Sequence, residues 1–154
     1  MGWDIVAGSE VGRWVADKTT ELYNVDSAAI GLQKDNKITA GVVYQDYCET
    51  TIVCHIRIEG RVNKQFLKAI FNYPFDQLEV EKIIVPITQE NEKSIHLVKN
   101  MGFKEEARIS RSNGDIVFFT LHKNDCKFLG ERYGKSSQST TSTRLSSSSQ
   151  ATRH

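Results

Sequence analysis

Apolar residues recur along the chain with two different periods, and the switches between them mark out the elements. Val11, Trp14, Val15 and Leu22 fall on one stripe of a helix that Ser9 is placed to cap and that runs to about Tyr23. Three strand-like runs follow: Ala28–Lys34, closed by the turn pair Asp35-Asn36, then Ile38–Tyr47, then Thr50–Glu59. They read as an antiparallel meander. Asn63 opens a second helix, Lys64–Tyr73, with Phe66, Leu67, Ile70 and Phe71 apolar and Pro74 as its stop. Lys82–Ile87 is a strand, and Asn91 caps a third helix whose apolar positions are Ile95, Leu97, Val98 and Met101. Gly102 ends that helix. Two last strands, Phe103–Ser110 and Asp115–Lys123, meet across Asn113-Gly114, a strong hairpin signal.

Helix, three strands, helix, strand, helix, hairpin: this order predicts a mixed sheet in an α/β or α+β domain, with a meander, a strand–helix–strand crossover and a C-terminal hairpin. Alternation within Thr50–Glu59 sorts its side chains. Ile52, Cys54, Ile56 and Ile58 form one apolar face, so His55, Arg57 and Glu59 share the other, which is expected to meet a cleft or solvent.

Composition narrows the class. The chain has 154 residues, 39% of them apolar and 25% charged, enough for one domain with a sizeable core. No apolar run is long enough to span a bilayer, and Met1–Val6 lacks the basic and apolar regions of a leader, so an intracellular (cytoplasmic) protein with no membrane partner is expected. Cys48, Cys54 and Cys126 have no metal-ligand spacing and are odd in number; each is expected in the core or a pocket wall. His55, His96, His122 and His154 are scattered, so no metal is expected.

Residues 135–154 carry Lys135, Arg144 and Arg153 and no acid, while 12 of those 20 are Ser or Thr. Such a segment cannot bury enough apolar surface to order itself. The division expected is a domain at 1–133 and a basic tail at 134–154, disordered unless a virion or nucleic-acid partner holds it. The rest of the chain, with 17 basic and 19 acidic residues, is no polyanion binder by bulk charge.

Three stretches carry a family likeness. Asn91-Glu-Lys-Ser94-Ile95-His-Leu97-Val-Lys-Asn-Met-Gly102-Phe103, entered by Ile83-Ile84-Val85-Pro86, resembles the helix-to-strand signature of the GNAT superfamily of N-acetyltransferases. Phe71-Asn-Tyr-Pro74-Phe75-Asp-Gln-Leu78 and Phe118–Leu129 resemble small GNAT-like proteins of tailed phages, as does His55 in Val53-Cys-His-Ile. The likeness runs from Ala28 to Leu129 and implies an acyltransferase using acetyl-CoA as co-substrate. The acceptor would be a small amine, a protein lysine or a nucleobase.

In that family the fourth and fifth strands splay apart, and the pantetheine arm pairs with the exposed backbone like an added strand. The resemblance maps these strands to Thr50–Glu59 and Lys82–Ile87. It implies cofactor contacts from Ile56 and Arg57, from Arg61 and Lys64 at the start of the second helix, and from Asn91 and Ser94. His55, with an intrinsic pKa near neutrality, is the first choice of general base, and Glu59, acting through water, the second.

Two features depart from the family pattern. Glu59-Gly60-Arg61-Val62-Asn63-Lys64 has a single glycine where the phosphate loop has more, and Val98 stands where the family has the tyrosine that protonates the leaving thiolate. Tyr44, Tyr47 or Tyr133 would have to replace it. These departures carry the second reading, a non-catalytic virion or interaction protein that retained the fold.

Overall fold

Left-handed backbone at Asp35 (φ 53) and Asn36 (φ 67) closes the hairpin announced by that residue pair. It joins β2 (Ala28–Lys34) to β3 (Lys37–Cys48), and β3 turns directly into β4 (Thr51–Ile58). The structure, a computed structural model, describes residues 2–17 and 27–130. The far end of the expected first helix, with Leu22, and the tail lie outside the described residues, as do Tyr133 and His154.

The meander continues through α2 (Lys64–Asn72), β5 (Lys82–Thr88), α3 (Glu92–Asn100), β6 (Lys104–Ile109) and β7 (Ile116–His122). One element was not read from the sequence: β1 (Trp3–Ala7), which precedes α1 (Ser9–Ala16) and pairs with β2 at the sheet edge. With four of its five residues exposed, β1 lacks the buried alternation that identifies a strand. Among the described residues seven strands order as β1-β2-β3-β4-β5-β7-β6, all antiparallel except β4 with β5.

Two other expectations need correction. Ser9 is the first residue of α1 rather than its cap; Gly8, at φ 111, holds the cap position, with no side-chain hydrogen bond. Pro74 does not end the second helix. The chain passes from α2 into a π-helical turn, Tyr73–Gln77, in which Leu78 N–H donates to the Tyr73 carbonyl at 3.0 Å. Proline sits near the start of that turn, where a missing N–H costs little.

The sheet carries helices on both faces. On one, Phe66, Ile70 and Phe71 of α2 and Val98 of α3 join Ile52, Cys54, Ile83, Val85 and Phe119 in the main core. On the other, Val11 and Val15 of α1 pack on Ala29 and Val43. Gly31 and Gly41, paired across β2 and β3, form the seat for α1. A Cβ at either would come within 2.8 Å of a Val11 or Val15 methyl, so only glycine lets the helix lie this close.

Cys54 is buried, as expected, but Cys48 is exposed beside the β3–β4 turn; all three cysteines are free thiols. Burial pushes the Cys54 thiol far up and Cys126 up to about 11, which leaves both un-ionised at neutral pH. Among the described residues no group of His, Cys, Asp and Glu could hold a metal ion, and no helix is long and apolar enough to cross a membrane.

Candidate active site

The two parallel strands at the sheet centre separate almost as soon as they meet. Their ladder consists of Thr51↔Lys82, Ile52↔Ile83 and Val53↔Ile84. Beyond Val53, β4 stays a strand through pairing with β3 as far as Ala40↔Ile58. Beyond Ile84, β5 stays a strand through pairing with β7 as far as Thr88↔Ile116. Residues 54–58 and 85–88 therefore bound a fork whose facing backbone edges have no ladder pairs with each other. Pro86, which has no N–H to offer a ladder, stands on one side of it.

At the mouth of this fork lies a cavity of about 480 Å³. Ile56, Arg57, Ile58, Glu59 and Gly60 form one wall; Asn91, Lys93, Ser94, His96, Leu97 and Asn100 form the other. Five of the residues expected from the sequence come together here: Ile56, Arg57, Glu59, Asn91 and Ser94. Arg61 and Lys64 are exposed at the start of α2 and are not on the cavity wall.

The α3 wall is set by its cap. Asn91 Oδ1 accepts the Ser94 N–H at 3.2 Å, which fixes where the first turn points. Lys93, Leu97 and Asn100 then follow at helical spacing on one side. Their line was present in the sequence as an i, i+4, i+7 series starting beside Asn91, but the apolar residues of α3 drew attention instead. Val98, at the family's tyrosine position, is 1% exposed and belongs to the core.

On the α2 side, Asn63 Oδ1 accepts the Phe66 N–H at 2.8 Å, so one of the free N–H groups of the helix start is already taken. Gly60 stands in open space, where a Cβ would touch nothing within 4 Å.

The opposite face of β4 differs in part from its expected surroundings. Arg57 and Glu59 reach the cavity as expected, but α1 lies over the strand beside them, and His55 is buried rather than open to cleft or solvent. The Arg57 guanidinium stacks on the Trp14 ring, 3.7 Å from its centroid, and Nη1 donates to the Trp14 carbonyl. Its Nε donates to Glu59 Oε2 at 3.1 Å, and Lys93 Nζ lies 3.5 Å from Glu59 Oε1. The hydrogen bond from Arg57, reinforced by the Lys93 ammonium, holds the Glu59 carboxyl below the usual carboxylate range.

His55 is two residues past the last ladder pair, at the root of the fork, and 7% exposed. It is not on the cavity wall. Gln45 Nε2 lies 3.1 Å from His55 Nε2. That amide can donate to an unprotonated ring nitrogen or, turned over, accept from a protonated one. Tyr44 is across the sheet; its hydroxyl donates to the Ile70 carbonyl at 2.6 Å, and burial raises its pKa well above the ordinary value. Tyr47 is 55% exposed. Neither tyrosine is on the cavity wall.

Comparison with known proteins bears on the family and the fold. The family described as "Acetyltransferase (GNAT) domain" matches residues 22–116. No curated protein matches the sequence. Among solved structures, a spermidine N-acetyltransferase SpeG variant from Vibrio cholerae superposes with TM-score 0.61 at 14% identity, over 82% of this chain and 96% of that one. The N-acetyltransferase PseH from Campylobacter jejuni, in complex with acetyl coenzyme A, gives TM-score 0.57 at 11% identity, over 79% and 99%. At these identities the likeness is one of fold.

Proposed function

The chain belongs to the acetyltransferase (GNAT) domain family, and on that premise we propose that it transfers an acetyl group from acetyl-CoA to an amine bound at the root of the fork. The observation that carries this reading is the parting of β4 and β5 after the Val53↔Ile84 pair. Two strands that stay extended without pairing with each other leave donors and acceptors for a third extended partner, and the pantetheine arm with its two amides is such a partner. GNAT acetyltransferases use acetyl-CoA, and PseH was solved with it bound.

In this reading Ile56 and Arg57 on β4, with Asn91 and Ser94 on α3, contact the pantetheine arm. Arg61 and Lys64 attract the phosphates toward the start of α2, where the helix dipole also favours an anion. His55 accepts one proton from the acceptor ammonium, freeing the nitrogen lone pair that forms the C–N bond; the nitrogen loses a second proton to solvent as the thioester C–S bond breaks. The imidazolium gives its proton to the departing sulfur, so the absence of a tyrosine at position 98 is met by one group serving both steps. Gln45 is the positioning residue that keeps the ring oriented in either protonation state.

The finer resemblance to GNAT-like proteins of tailed phages adds a role for the basic tail, 134–154, as the contact for a virion or nucleic-acid partner, separate from the domain at 1–133. Its support is the charge of +3 on residues 135–154.

Calorimetric titration with acetyl-CoA tests the proposal. A dissociation constant in the micromolar range is expected, weakened at least about tenfold by combining Arg61→Glu with Lys64→Glu, since two repulsions replace two attractions at the phosphates. The same titration followed by melting temperature should show a ligand-dependent rise. No binding at millimolar acetyl-CoA would leave the non-catalytic reading in its place.

A further inference from the structure

Three charged side chains stand on the wall of one cavity, and one of them has the wrong sign for a ligand that carries phosphates. Glu59 directly follows β4, and its backbone N–H donates to the Thr39 carbonyl at 2.8 Å, so its main chain is fixed to the sheet. Its carboxylate accepts from Arg57 Nε at 3.1 Å with one oxygen and faces Lys93 Nζ at 3.5 Å with the other. Arg57 belongs to the strand wall and Lys93 to the first turn of α3. A single carboxylate thus bridges cations from both walls of the cleft.

Carboxylate and phosphate oxygens offer the same acceptor chemistry to guanidinium and ammonium groups. We propose that Glu59 is an internal stand-in for a phosphate of the ligand, and that it surrenders Lys93 to that phosphate on binding. Lys93 is then a phosphate-binding residue, and Glu59 the residue that sets how tightly the cleft holds its ligand and how readily it lets the product go. The proposal rests on acetyl-CoA being the natural ligand, but the charge arrangement stands independently of it.

The two cations differ in freedom, which decides which of them moves. Arg57 is 13% exposed and locked by the Trp14 carbonyl and ring. Lys93 is 73% exposed on a flexible stem, and an exposed ion pair of this kind is weak. Transfer of Lys93 from carboxylate to phosphate therefore costs little, while Arg57 keeps Glu59 from following the ligand. What remains is a negative charge beside a bound anion, which opposes binding.

The test is a double-mutant cycle with Glu59→Gln and Lys93→Met, titrated calorimetrically with two probes, inorganic pyrophosphate and acetyl-CoA. Glu59→Gln should tighten both by about tenfold at low salt, an advantage that shrinks at high ionic strength. Lys93→Met alone should weaken both probes by about threefold, since it removes a phosphate ligand, and adding it to Glu59→Gln should remove most of that variant's gain. Unchanged melting temperatures would show the variants are folded. The proposal is overturned if Glu59→Gln leaves pyrophosphate affinity within twofold, weakens it, or tightens it equally with and without Lys93. Failure of acetyl-CoA to bind, with the pyrophosphate pattern present, would sink the transferase reading and spare this one; acetyl-CoA binding without the pattern would do the reverse.

Discussion

Replacing His55 by alanine is expected to lower kcat by about 10²–10⁴-fold while leaving the acetyl-CoA dissociation constant within about twofold. The imidazole is two residues past the last β4–β5 pair, on the opposite strand face from Cys54 and off the cavity wall. It is therefore placed to affect the proton on the acceptor and not the hold on the cofactor. Because His55 is nearly buried, alanine also leaves a void, and turnover could fall for that reason alone. His55→Gln separates the two effects. Glutamine keeps most of the volume and a hydrogen bond to Gln45 but cannot carry a proton away from an ammonium. Turnover should be lost in both variants, with the glutamine variant melting close to the wild type. Activity surviving in His55→Gln would remove His55 from the proton path.

The largest expected effect on stability is at Phe71. Its ring stacks on Phe128 at 4.9 Å with planes 9° apart and tilts against Phe103 at 6.3 Å. One side chain thus ties α2 to the residue that enters β6 and to the segment that follows β7. Phe71→Ala should cost about 3–5 kcal/mol, since a 2% exposed ring leaves a cavity that three separate elements cannot easily close. Denaturant unfolding reads this directly, as a shift of the midpoint at nearly constant slope. A loss below about 1 kcal/mol would mean that the segment carrying Phe128 collapses into the space, and that the Phe71 ring does not tie these elements together.

What the sequence made legible follows the physics of its signals. Alternation located β2 to β7 to within a residue or two, and the Asp35-Asn36 pair fixed the β2–β3 hairpin, because a tight turn demands particular backbone angles; Asn113-Gly114 marked the β6–β7 connection, which is a longer loop, 110–115, with left-handed backbone at Gly114 and not at Asn113. The fork also followed, but only through family likeness. A short parallel ladder leaves no mark on the hydrophobic pattern of either strand. The covering of His55 and Arg57 by α1 was not legible. It depends on Gly31 and Gly41 pairing across β2 and β3 to admit α1, a relation visible only once the hairpin register is known. Trp14 then closes over Arg57, a contact spanning 43 positions in the chain. Pro74 misled because a π-turn tolerates the residue that an α-helix rejects. Lys93, His96 and Asn100 were missed because an exposed polar stripe on a helix usually meets only water.

The account stands or falls on whether the gap between β4 and β5 receives the thioester arm. The direct measurement is amide hydrogen exchange and chemical shift at residues 54–58 and at Val85, Ile87 and Thr88, with and without acetyl-CoA. Expected are large shift changes and slowed exchange at amides on both edges of the gap, as an added strand would produce, with the Thr51–Val53 amides little altered. If acetyl-CoA binds and these amides do not respond while others do, the arm lies elsewhere and the fork is not the acetyl-transfer site.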